Sequence, residues 1–140
     1  MERRPIAIRN DGKWYFDGAE MFRLEIVNLL AANTHRDDDG NYYIRLGEDV
    51  NPLIVEDVPF LAVRCELLED GGIKLFFHDL QEFVLTEPVK LGFKGDTPYV
   101  TYKWTNDTRL SRGVYWRLSK YFHFEGDEVF VKPGQPAEAE

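Results

Sequence analysis

The sequence predicts an α+β fold of two similar hairpin–helix–hairpin lobes with mainly antiparallel sheets. Three observations carry this. Asp and Gly are paired at 11–12, 17–18, 39–40, 70–71, 95–96 and 126–127, and these dipeptides accept the positive φ of tight hairpin turns. Between them run short β-branched and aromatic segments with apolar residues at alternate positions. Two longer stretches replace that alternation with a helical period.

The elements follow in order. Ile6 and Ile8 alternate with Ala7 and Arg9, and Trp14-Tyr15-Phe16 follows the first turn. A helix is expected over 19–33, with Phe22, Ile26, Leu29, Leu30 and Asn33 on one face. Asp39-Gly40 turns into the strand 42–46, and Leu53-Ile54-Val55 precedes a turn at Asp57–Pro59. The run 60–68 alternates, with Leu61, Val63, Cys65 and Leu67 inward and Ala62, Arg64 and Glu66 outward. A strand over 73–78 returns after Gly71-Gly72, and 89–94 pairs with 98–104. A second helix is expected over 108–122, capped by Asn106 or Asp107, with Leu110, Val114, Leu118 and Tyr121 as its stripe. Val129-Phe130-Val131 closes the fold. Residues 133–140 have nothing to bury and are expected to be a disordered tail.

The order of elements repeats. Hairpin 6–16, helix 19–33 and the turn at Gly40 match hairpin 89–104, helix 108–122 and the turn at Gly126. The helices align as RLEIVNL (23–29) on RGVYWRL (112–118). One small sheet with one helix is too thin to bury its apolar faces. Lobes at 1–58 and 59–132 are therefore expected to share a core across a pseudo-twofold.

Composition removes several classes of function. A chain of 140 residues buries enough surface to fold without a disulfide or a structural metal. The 25 acidic residues outnumber 17 basic ones, for a net charge of -8, and the basic residues are scattered, so duplex nucleic acid is not an expected partner. No run approaches the ~18 apolar residues that span a bilayer, and no membrane association is expected. The start has charge but no apolar run behind it, and the single cysteine, Cys65, permits no intramolecular disulfide. Both features fit a cytoplasmic chain.

No signature of catalysis, metal or cofactor emerges. The three histidines, His35, His78 and His123, have no metal-ligand spacing. Asp37-Asp38-Asp39-Gly40 resembles a calcium loop, but Leu46 stands where the bidentate acid is required, so the segment is read as a turn. Ser111 and Ser119 sit within a helix rather than on a nucleophile elbow, and neither common phosphate-binding glycine loop occurs. His78-Asp79 has the residues for acid–base work; the plainer reading is a solvated turn. The chain is therefore expected not to be an enzyme. The remaining pair is Arg23 and Arg112, one before each helix face. A guanidinium binds phosphate or carboxylate bidentately, and Arg112 has Trp116 within reach for a cation–π contact. Pairing of each Arg with acids such as Glu56 or Asp57 is the structural alternative.

The string VEDVPF (55–60), in order with DGKW (11–14), RLEIVNL, DGNYY (39–43), PYV (98–100) and RGVYWRL, resembles the bacterial family called domain of unknown function 1285. The resemblance spans about residues 5–122 and departs from the family pattern at Gly47-Glu48, where Thr-Pro is expected. It implies a duplicated α+β fold whose C-terminal half looks superficially like a pleckstrin-homology barrel. It also implies a pocket where the halves meet, a nucleotide-like ligand, a role in signal transduction and no enzyme activity. The positions matching family motifs near that junction are Arg23, Glu56, Asp57, Tyr99, Arg112 and Tyr115. The expected function is a small ligand-binding or regulatory domain for a nucleotide-like or other anionic small molecule. The alternative is a protein-interaction scaffold, with a protein partner or a second copy of the chain as its occupant.

Overall fold

The computed structural model describes residues 5–137. Two compact units are formed. The first runs to Pro59 and includes His78–Gln81; the second comprises Phe60–Phe77 and the chain from Glu82 onward.

The first unit contains β1 (Ile6–Ile8), β2 (Trp14–Phe16), β3 (Ala19–Glu20), α1 (Leu24–Ala32), β4 (Thr34–Arg36), β5 (Tyr42–Leu46) and β6 (Asp49–Val55). Its six-stranded sheet has the order β3-β2-β1-β6-β5-β4. All pairings are antiparallel except β1 with β6, where Ile6 faces Leu53 and Ile8 faces Val55. Asp17 and Gly18, at φ 51° and 84°, form the two-residue turn that matches the twist of an antiparallel pair. That turn returns Ala19-Glu20 onto β2, so α1 begins only at Leu24. Val27, Leu30 and Ala31 are its buried residues, and they join Ile8, Trp14, Ile44 and Leu53 in one core. The expected stripe is therefore corrected in part: Leu30 is buried as expected, but Phe22, Ile26 and Leu29 are exposed.

The second unit contains β7 (Phe60–Leu67), β8 (Ile73–Phe77), β9 (Glu82–Leu85), β10 (Val89–Lys90), β11 (Gly92–Lys94), β12 (Thr97–Val100), β13 (Thr108–Leu110), α2 (Arg112–Leu118), a 3-10 turn (Ser119–Tyr121), β14 (Phe122–Glu125) and β15 (Glu128–Val131). A six-stranded sheet has the order β11-β12-β13-β7-β8-β9, and a three-stranded one β10-β15-β14. The central pair β13–β7 is parallel, with Thr108 opposite Phe60. A register shift between Ala62 and Arg64 marks a bulge in β7. An extra residue reverses which side chains face inward. Accordingly Ala62 and Cys65 are both buried while Val63 is exposed, against the regular alternation read from the sequence. The core gathers Phe60, Ile73, Leu75, Phe77, Leu110, Val114, Leu118, Phe122 and Val131 with their neighbours.

Each unit thus has a six-stranded sheet with one central parallel pair, and a helix that leads into a hairpin. The hairpins differ in use. β4 and β5 extend the main sheet of the first unit, whereas β14 and β15 build a separate sheet in the second. Residues 133–137, expected to be free, are held by backbone bonds: Gln135 N donates to Lys132 O at 3.1 Å and Ala137 N to Lys120 O at 2.7 Å. The rest of the expected tail, 138–140, lies outside the described residues. No helix among the described residues is long and apolar enough to cross a membrane.

Candidate functional site

A hollow lies within the second unit, between the β11–β12 hairpin and α2. It has a volume of about 530 Å3. The hairpin contributes Phe93, Gly95, Asp96, Thr97 and Pro98; the helix side contributes Leu110, Arg112, Tyr115 and Trp116.

Local sequence sets both walls. On the hairpin side, Gly95-Asp96 is a two-residue loop joining strands paired from Lys94–Thr97 to Gly92–Tyr99. Gly95 has φ +59° with no atom near a Cβ position, so glycine is favoured there by backbone conformation alone. The loop fixes Asp96 at the rim. On the helix side, Ser111 is the N-cap, with extended φ -64° and ψ 162°, and its hydroxyl accepts from Val114 N. Ser111 N donates to Ala62 O at 3.0 Å, tying the start of α2 to β7. Residues three and four apart share a helix face, so Arg112 lies beside Tyr115 and Trp116.

Below the helix, the loop preceding β13 is organised by Asp107, which is buried. Its carboxylate accepts from the backbone N–H groups of Tyr102, Lys103 and Trp104, each at 2.8 Å. The Thr108 hydroxyl also donates to it at 3.0 Å. Asp107 therefore clamps a loop, and Ser111 rather than Asn106 or Asp107 caps the helix. The segment 108–110, expected to be helical, is held as β13 by β7 and β12.

The pocket floor is apolar, since Pro98 and Leu110 are buried. The Tyr115 ring packs against Phe122 at 5.3 Å and edge-on to Trp116 at 5.8 Å. Trp116 is 63% exposed and Phe93 46%. Arg112 is exposed, and among the described residues it makes no ion pair, hydrogen bond or cation–π contact, so the expected stacking on Trp116 does not form. Asp96 likewise has no ion pair among the described residues. The site offers an available cation, an available anion and two open aromatic surfaces.

The sequence-derived residues divide between the units. Arg112 and Tyr115 share the pocket. Tyr99 belongs to the same unit but is buried in β12, with the Lys94 ammonium 5.1 Å from its ring centroid; it does not line the pocket. Arg23, Glu56 and Asp57 belong to the first unit. Arg23 precedes α1 and its Nε lies 3.5 Å from a Glu25 carboxylate oxygen, both side chains being largely exposed. A Glu56 carboxylate oxygen accepts from Asn10 N at 2.9 Å, and Asp57 follows in the turn that leaves β6. Phe93, Asp96 and Trp116 were not identified as site residues from the sequence. The Gly95-Asp96 turn was visible there, but a turn dipeptide does not show which surface it borders.

The other two motifs lie in the first unit, and the second is not the solvated turn expected of it. Asp37 Oδ1 accepts from Asp39 N at 3.0 Å and Asn41 N at 2.8 Å, as the turn reading requires. Asp79 is buried and accepts from Gln81 N and Nε2 at 3.0 and 3.1 Å. Cys65 is a buried free thiol. Burial pushes it above its ordinary value, against a lowering by the Arg117 guanidinium, so little thiolate forms near neutral pH.

Fold and site together define a two-unit α+β protein of mainly antiparallel sheets with an open, aromatic-walled pocket on its second unit. The fold is that of DUF1285 family proteins. A DUF1285 family protein from Silicibacter pomeroyi DSS-3 superposes with a TM-score of 0.77 at 20% identity, over 94% of this chain and 76% of that one. Another from Shewanella baltica OS155 gives 0.68 at 19% identity, over 83% and 91%. No family model and no curated protein matches the sequence.

Proposed function

We propose that this chain is a cytoplasmic, non-catalytic domain that binds a small anionic molecule and serves a regulatory role, a nucleotide-like ligand in signal transduction being one candidate. The observation that carries the reading is Arg112, a guanidinium without an ion-pair partner among the described residues, on the wall of a hollow of about 530 Å3. That volume suits a small molecule. Guanidinium pairs bidentately with phosphate or carboxylate, and the exposed rings of Trp116 and Phe93 supply the apolar contact that most small-molecule sites need.

Thermal unfolding of the full chain against a panel of nucleotides, inorganic phosphate and small carboxylates tests this. A bound anion at a hundredfold excess over its dissociation constant stabilises by about 2.7 kcal/mol, several degrees in melting temperature. Arg112→Ala is expected to abolish that shift and Arg23→Ala to leave it intact. Equal stabilisation of the Arg112→Ala variant overturns the assignment. A protein-interaction scaffold is the second reading, favoured by the exposed Phe22, Ile26 and Leu29 of the first unit; under it, no anion stabilises the chain.

A further inference from the structure

We infer that the pocket of the second unit takes a zwitterion, specifically an α-amino acid with an aromatic side chain, its carboxylate on Arg112 and its ammonium on Asp96. This rests on the reading of the hollow as a small-molecule site; it keeps a carboxylate on Arg112 and replaces the anionic ligand by one with no net charge.

Arg112 and Asp96 line the same hollow, yet they do not pair with each other or with any other described group. Their charged atoms therefore stand more than 4.0 Å apart. Here one is carried by a tight hairpin turn and the other by the first residue of a capped helix. A ligand bearing both charges on one carbon offers a partner to each group within the one hollow.

The same pair disfavours a multiply charged anion. A phosphate group drawn to Arg112 also meets the Asp96 carboxylate at the rim, and like charges in one pocket repel. A zwitterion satisfies both groups and adds no net charge. The remainder of the hollow specifies the side chain. Pro98 and Leu110 form an apolar floor, and Trp116 and Phe93 present exposed rings against which a planar ring stacks offset or edge-on.

Calorimetric titration of the full chain separates the contributions. The probes are L-phenylalanine, 3-phenylpropionate (carboxylate only), phenethylamine (ammonium only) and inorganic phosphate. L-Phenylalanine is expected to bind at least about tenfold more tightly than either single-charge analogue, one such factor corresponding to one lost charge-assisted contact. Asp96→Asn, which keeps a residue suited to the turn, is expected to weaken L-phenylalanine about tenfold and leave 3-phenylpropionate unchanged or tighter. Arg112→Gln is expected to weaken both. If 3-phenylpropionate binds wild type as tightly as L-phenylalanine, the zwitterion inference is overturned and the anion reading stands. If phosphate binds and L-phenylalanine does not, the outcome is the same. If no probe binds and the nucleotide panel is also silent, both fail.

Discussion

The two helices of this chain share a place in the order of elements and differ in how they are fixed. α1 starts after Arg23, which provides no side-chain cap. It is retained by burying Val27, Leu30 and Ala31, while Phe22, Ile26 and Leu29 stay in solvent. α2 starts at the Ser111 cap, buries only Val114 and Leu118, and is joined to β7 through Ser111 N. Packing holds both helices, since Val114 and Leu118 lie in the second core; the second is in addition capped and tied to the sheet at its N-terminus. Its outer face is left to the pocket, which it lines with Arg112, Tyr115 and Trp116.

The largest test of that contrast is the loop clamp. Asp107→Ala leaves the N–H groups of Tyr102, Lys103 and Trp104 without their acceptor. An unsatisfied donor costs about 1–3 kcal/mol when fully buried; these three are part-buried and Lys103 is exposed, so each lies in the lower part of that range. Loss of about 4 kcal/mol in denaturant unfolding is expected, together with loss of ligand stabilisation. Asp107→Asn retains part of the acceptor capacity and should cost less. An alanine variant within about 0.5 kcal/mol of wild type would show that the loop, and the entry to α2, are held by something else.

Next in size is the choice of face on α1. Leu30→Ala empties space beside Trp14 and Ile44 and is expected to cost about 2–3 kcal/mol. Leu29→Ala, one residue away with its side chain 53% exposed, should change stability by no more than about 0.5 kcal/mol. Equilibrium urea unfolding of the two variants gives the difference directly. Similar losses from both would mean that Leu29 is covered by a second molecule in solution.

That pair of leucines also shows what the sequence discloses and what it hides. The α+β class was legible because turn chemistry is local: Asp17-Gly18, Gly40 and Gly126 mark real hairpins. The helix limits were hidden. Residues 19–20 become strand because the Asp17-Gly18 turn folds them onto β2, so the turn signal outweighed a helical period that extended through it. Residues 108–110 become strand through pairing with Phe60–Ala62, a partner far away in sequence. The buried stripe was only partly legible: Leu30 is buried as expected, but the helix is turned toward Val27 and Ala31 instead of Ile26 and Leu29, and only the sheet it meets decides between them. Arg112 and Tyr115, named through the family resemblance for a pocket where the halves meet, fall together in a hollow of the second unit because both lie on one helix face. Asp96 and Phe93 were not named, because a hairpin reaches that hollow through tertiary packing.

The smallest effect separates electrostatics from packing in the first unit. Partial burial alone would raise Asp11, yet the Tyr15 hydroxyl, bonded to it at 2.5 Å, and Lys13 N hold its carboxyl below the ordinary 3.8. The same bond pushes Tyr15 above its ordinary 10.0. For Asp11, a folded value below the unfolded one means stability present above about pH 3.8 and lost as pH falls through the folded value. For Tyr15, a folded value above the unfolded one means stability present below about pH 10 and lost as pH rises further. Tyr15→Phe removes the hydroxyl and leaves Lys13 N, so Asp11 should move part of the way back up. Carbon-detected NMR titration of the Asp11 carboxyl measures this. A midpoint unchanged in Tyr15→Phe would assign the lowering to Lys13 and Arg9 instead, and the hydroxyl bond would then contribute nothing to acid stability.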